Sequence, residues 1–308
     1  MKTVETTPSS YAAGTARTTR RLGRPVRKFP QHIRRPRIAD ALVYGALAIW
    51  ALAAGYPLVF MLVTALKKDA ELYRSPFALP EKLRWSNFVN AWVQGHLAPC
   101  VVNSIEVTLI SLVLGLGLSV ACAFAFARLN FGPLKSLFWT YVMFGFLVPD
   151  SVRFFPLMVF FAKVGLFDSI WALVLIYAAG GIPWNTFFLR AFMERIPRDY
   201  EDAAVVDGAS VWQVFLHVIL PLSRAPLITL ATFHTLGVWN EFLMAFFLTS
   251  SESARTLPVG VRMLTGAFAT NQTAIAAGLV IVMIPMALFF VLLQRHIVKG
   301  LTAGSLVG

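Results

Sequence analysis

Apolar residues fall into six long runs, at residues 41–66, 101–127, 136–162, 169–191, 222–248 and 273–293. Each is long enough, or nearly so, to cross a hydrocarbon core that needs ~20 apolar residues. The pattern predicts an all-α integral membrane protein with six transmembrane helices. Pro149 and Pro156 interrupt the third run, and Gly180, Gly181 and Pro183 sit in the middle of the fourth. Between the fourth and fifth runs, residues 194–221 read differently. Asp199 to Val206 is a short helix with acids in its first turn, where the helix dipole favours them. Asp207-Gly208 closes it, because glycine takes the left-handed conformation without a Cβ clash. Ser210-x-x-Gln213 is a capping-box spacing that starts a second helix, and Pro221 is expected to end or kink it. The predicted fold therefore carries a helix-turn-helix loop between spans four and five.

The charge of the N-terminal tail favours one orientation of these spans, the basic residues of the remaining inner and outer segments being equal in number. The chain is 57% hydrophobic and 14% charged, with a formal net charge of +12. Ten of the 27 lysines and arginines lie in residues 1–39, a Ser-, Thr-, Pro- and Arg-rich stretch read as a disordered cytoplasmic tail beside anionic lipid rather than a nucleic-acid arm. With six spans both termini are cytoplasmic, and residues 67–99, 163–168 and 249–272 are outer loops. Trp85 and Trp92 then serve as interface aromatics. Residues 40–308 form the membrane domain. Cys100 and Cys122 lie on one span, too far apart to pair, and read as inert thiols.

Enzyme chemistry finds no support: the five histidines are scattered, and there is no metal-binding His pair, phosphate loop or nucleophile elbow. Ionisable groups at membrane depth are the better candidates, since each costs ~2.5–3.5 kcal/mol at a helix centre unless paired or wet. Asp150 and Arg153 stand at i,i+3 and either pair or line a path. Asn240-Glu241 after Trp239 forms a second polar notch, with Glu106 and His234 as further candidates. An ion-coupled secondary transporter is the alternative from another class, although its relay of acids is irregular here.

The helix-turn-helix stretch resembles the EAA loop of ABC-importer permeases, read here as Asp202-Ala203-Ala204, Gly208, Val218 and Leu220-Pro221, with Asp for Glu and Val for Ile. Trp239-Asn240-Glu241-Phe242, Thr256-Leu257-Pro258-Val259-Gly260 and Gly300-Leu301-Thr302-Ala303-Gly304 are similar to segments of carbohydrate-uptake permeases of the maltose type. The resemblance, over residues 40–308, implies a membrane-spanning subunit of an ATP-driven importer for a sugar or sugar-like solute. It implies a bacterial inner-membrane location, a homologous second permease, two ATPase subunits and an extracytoplasmic solute-binding protein, and no nucleic acid. ATP and Mg are implied on the ATPases and no cofactor in this chain. The implied coupling site is Glu201, Asp202, Ala203, Ala204, Asp207 and Gly208, with Glu201 able to replace the shortened Asp202 in an outward salt bridge. Asp150, Arg153, Asn240 and Glu241 are the candidate translocation path. Val152-Arg153-Phe154-Phe155-Pro156 also resembles glycerol-phosphate-type permeases, an alternative substrate within the class.

Overall fold

The structure, a computed structural model, describes residues 38–267 and 271–303. The tail expected over residues 1–39 thus lies almost wholly outside the described residues. The chain divides into two compact units, residues 1–52 and 53–308. Of the first, residues 38–52 are described, as the opening of helix α1 (Ile38–Ala65).

In the second unit, α2 (Asp69–Arg74) and α3 (Ser86–Gln94) precede the long α4 (Leu97–Arg128). Then come α5 (Leu134–Phe144), α6 (Asp150–Lys163), α7 (Ile170–Met193) and α8 (Asp199–Val206). A second short helix begins as α9 (Val211–Val214), passes through a π turn at Phe215–Ile219 and ends as α10 (Leu220–Leu222). The chain continues through α11 (Arg224–Asn240), α12 (Leu243–Leu248), α13 (Leu257–Ala267) and α14 (Gln272–Ala303). No strand occurs among the described residues.

Four of these helices, α1, α4, α7 and α14, are long and apolar enough to cross a membrane. The α9–α10 stretch and α11 qualify together as a pair bent by 74°.

The most extensive helix contact is α4 against α7. Its close point is Gly115, where an added Cβ would stand 2.8 Å from the Ala178 carbonyl oxygen. A small residue is needed there for the backbones to meet. Gly117, two residues on, faces open space.

Several boundaries differ from the sequence reading. The fifth run, expected over 222–248, is broken at Glu241–Phe242. Pro221 lies in the last turn of the continuous helical stretch 211–222, which ends one residue later and turns by 74° into α11 at Ser223, so the expectation that it ends or kinks that helix holds. Residues 249–272 are not a plain loop: Leu257, Val261 and Leu264 are buried at helical spacing and make α13. Residues 67–99 likewise contain α2 and α3, and α4 begins at Leu97. The last run, expected to end at residue 293, continues as helix through the basic segment 295–299.

Candidate functional site

Two sites emerge, a surface helix-turn-helix and a cavity among broken helices. The first is built as its sequence predicts. Gly208 has φ +83°, Ala209 N–H donates to the Ala204 carbonyl and Gly208 N–H to that of Val205, each at 2.9 Å. This pair of bonds is the Schellman closure of α8. Ser210 Oγ accepts from Gln213 N–H while Gln213 Oε1 accepts from Ser210 N–H at 2.7 Å, a complete capping box. No residue of α8 is buried.

The helix-turn-helix is nonetheless firmly seated. Val214, Phe215 and Ile219 enter an apolar cluster with Val120, Phe124 and Ala127 of α4 and Leu189 and Met193 of α7. Phe124 and Phe215 meet with ring centroids 4.8 Å apart. On the outer side, Ala204, Asp207, Gly208, Gln213 and His217 line a groove of about 290 Å³.

Among the predicted coupling residues, Asp202, Ala203, Asp207 and Gly208 are exposed and Ala204 is half-buried. Glu201 behaves otherwise. Its Oε1 lies 2.5 Å from Arg128 Nε, so its carboxylate faces the end of α4 rather than outward. The acids left facing outward are Asp199, Asp202 and Asp207.

The cavity encloses about 610 Å³ between the α5–α6 break, α7, and the α11–α12 break. Arg153, Glu241, His234 and Tyr177 supply its polar groups, and Phe146, Phe154, Trp184 and Phe233 much of its wall. Its size and its mainly apolar lining with a few polar groups suit a small-molecule site. Pro149 precedes α6 with extended backbone, which explains why the third run is two helices here.

Glu241 also explains the other break. Its Oε1 accepts from Met244 N–H at 2.8 Å and its Oε2 from Ala245 N–H at 3.2 Å, satisfying first-turn donors of α12. Tyr177 Oη donates to the same Oε2 at 2.5 Å, tying α7 to the break. His234 Nε2 lies 3.0 Å from Ser111 Oγ of α4. Ser111 Oγ also lies within hydrogen-bond distance of the Thr108 carbonyl, at 3.2 Å.

The four predicted path residues separate. Arg153 and Glu241 line the cavity; Asn240 is exposed outside it, with Nδ2 donating to the Leu236 carbonyl at 2.8 Å. Asp150 opens α6, and its side chain lies outside the described residues. Glu106 is exposed and not in the cavity wall. Tyr177 and Trp184 were missed in the sequence, where they read as ordinary members of an apolar run. No cluster of three His, Cys, Asp or Glu residues suited to a metal occurs among the described residues.

Residues 114–303 match the family described as binding-protein-dependent transport system inner membrane component. The chain is 35% identical to a putative ABC transporter permease protein, ORF2, of Caldicellulosiruptor sp. (strain Rt8B.4), over 85% of this chain and 95% of that one. It is 30% identical to the diacetylchitobiose uptake system permease protein NgcG of Streptomyces coelicolor, over 86% and 88% of the two chains. In fold it resembles a chain of a bacterial ABC transporter involved in the import of the acidic polysaccharide alginate. That match has TM-score 0.73 and 23% identity, covering 87% of this chain and 99% of the other.

Proposed function

The chain belongs to the family of binding-protein-dependent transport system inner membrane components, and we propose that it is the membrane-spanning subunit of an ATP-driven importer for a sugar or sugar-like solute. The observation that carries this reading is the exposed helix-turn-helix 199–222, seated on the ends of α4 and α7 in a chain that also holds a solute-sized cavity. A surface helix bearing acids and small residues, without a buried residue of its own, suits docking into another subunit.

In this reading the chain crosses the bacterial inner membrane six times: α1, α4, the broken pair α5–α6, α7, the broken stretch from α11 to α12, and α14. The helix-turn-helix, within residues 194–221, and both termini face the cytoplasm, with the basic tail 1–39 at the anionic inner leaflet. A homologous permease completes the pathway, two ATPase subunits dock against α8, and a solute-binding protein delivers its cargo outside. ATP and Mg bind to those ATPases. This chain hydrolyses nothing; ATP acts by favouring the closed state of the ATPases, and the difference in affinity between states is what moves the spans.

Aromatic walls and a few polar groups in the cavity suit a sugar, whose rings carry apolar faces and hydroxyl edges. The diacetylchitobiose and alginate transporters to which the chain is similar support the carbohydrate class. Tagged chain purified gently from its native membrane, with its companions identified and reconstituted into liposomes, tests the reading. Uptake that requires ATP and the co-purified ATPase is expected. Uptake by the chain alone, independent of ATP and abolished with the proton gradient, sinks it in favour of a secondary transporter.

A further inference from the structure

Arg128 is the last residue of α4, yet its side chain is only 6% exposed and its partner Glu201 only 16%. Their Nε and Oε1 atoms lie 2.5 Å apart without hydrogen-bond alignment, so charge holds them together. The same guanidinium reaches a second element: Nη2 donates to the Ile196 carbonyl at 2.8 Å, in the connection from α7 to α8. One side chain therefore ties the end of α4 both to the approach to α8 and to α8 itself. The other charged pair close by, Arg190 with Glu194, stays within one turn at 25% and 46% exposure and links no separate elements.

Burying an ion pair is a poor source of stability, because the loss of hydration offsets most of the attraction. Its better-attested use is to fix one geometry. Here the geometry joins the helix-turn-helix to a span, beside the apolar cluster that includes Phe124, Ala127, Ile196 and Phe215. Lysine in place of Arg128 keeps the charge but lacks the planar fork that serves two acceptors at once.

We propose that Arg128 and Glu201 form a charged strut that transmits movement of α8 to α4, with Glu201 a positioning residue inside the permease rather than a contact to the ATPase. The proposal rests on the reading of α8 as the ATPase-facing helix. It divides the helix by role: Asp202, Ala203 and Asp207 face outward for docking, while Glu201 faces inward for transmission. Docking and transmission are then separable by mutation.

The test uses the complete transporter in liposomes, scoring ATPase co-purification, ATP hydrolysis and solute uptake per ATP. Arg128→Gln and Glu201→Gln are expected to keep the ATPases bound and hydrolysing while uptake per ATP falls by roughly 5–150-fold, the usual span of coupling between sites. The double glutamine variant should be no worse than either single one. The exchange Arg128→Glu with Glu201→Arg should recover part of the loss. Asp202→Asn should instead weaken ATPase retention. Unchanged uptake per ATP in both single variants overturns the strut, as does release of the ATPase by Glu201→Gln but not by Arg128→Gln. If single variants do not accumulate in the membrane, the exchange decides: restored assembly and coupling support the pair, and failure to restore them overturns it. A wild-type chain that retains no ATPase at all is a different result, and refutes the functional reading instead.

Discussion

Two residues with positive φ show how local chemistry shapes the loops. Asp168 has φ 60°, a conformation aspartate tolerates better than most residues. Its Oδ1 accepts from Ser250 N–H at 2.6 Å and Ser251 N–H at 2.9 Å, bridging the α6–α7 turn to the segment after α12. Burial alone pushes this carboxyl up; the donors from Ser251 and Ser250, with Arg255 nearby, outweigh it and hold the group below its usual range. A lowered folded-state pKa stabilises the fold above the unfolded value of ~3.9, and that contribution is lost as pH falls through the folded value. Melting should therefore lose this contribution only in acid. Asp168→Asn keeps an acceptor for both N–H groups and loses only the charge, so it should cost about 1 kcal/mol or less at neutral pH and flatten the acid decline, and Asp168→Ala should cost more because it removes the acceptor and alanine resists the left-handed backbone. Thermal unfolding of the three proteins from pH 7 to pH 3 checks the order. Gly208 poses the simpler case, since nothing stands within 4 Å of an added Cβ and only the backbone objects. Gly208→Ala should cost about 1–2 kcal/mol and Gly208→Val more, with uptake falling in the same order. Wild-type uptake in the valine variant would falsify a role for this turn in coupling.

At the scale of elements, the sequence disclosed most where a local rule suffices. The bounds of α8, its glycine closure and the capping box at Ser210 follow from side chains within a few residues of each other, and all three stand as read. What the sequence hid depends on contacts between elements. Glu241 looked like a polar notch in a continuous span, but it accepts from the start of α12 and from Tyr177, and so breaks that span. Asn240, its neighbour, points elsewhere because a helix turns each residue by 100° and the break follows at once. Arg128 and Glu201 lie 73 positions apart, and no periodicity announces their meeting. The Thr256–Gly260 segment has a packing cause as well: a Cβ at Gly260 would stand 2.7 Å from Cys100 Sγ, so α13 lies close against α4. Glu241→Ala should lower stability by about 0.5–2 kcal/mol as a lost cap, whereas Tyr177→Phe removes one donor and leaves the cap in place. Melting in detergent, with uptake measured alongside, distinguishes them. Equal losses in both variants would make the Tyr177 bond, not the cap, the element that holds the break.

For the molecule as a whole, the apolar surface and the charge distribution make one joint demand. The most apolar window of α1 has none of its residues buried, and Trp50, Leu52 and Tyr44 are among the most exposed. Such a surface needs lipid or a second subunit over it, since an uncovered apolar area of that extent does not persist in water. Side-chain to backbone hydrogen bonds also fix the segments that flank the spans. Lys67, fully buried, donates to the carbonyls of Ser75 and Pro76, and Asn103 Nδ2 donates to those of Ser253 and Arg255. These bonds order the segments before α4 and α13. The proposed six-crossing topology would place residue 251 outside and residue 207 inside. Single cysteines at Ser251 and Asp207, introduced after Cys100 and Cys122 are replaced by serine or alanine, test this with a membrane-impermeant maleimide. Label should reach residue 251 in intact cells and residue 207 only in inverted vesicles, with normal accumulation in the membrane confirming that each variant still folds. Labelling of both positions from one side means an odd number of crossings has been miscounted between them, and the α11–α12 break then becomes a re-entrant segment rather than part of a span.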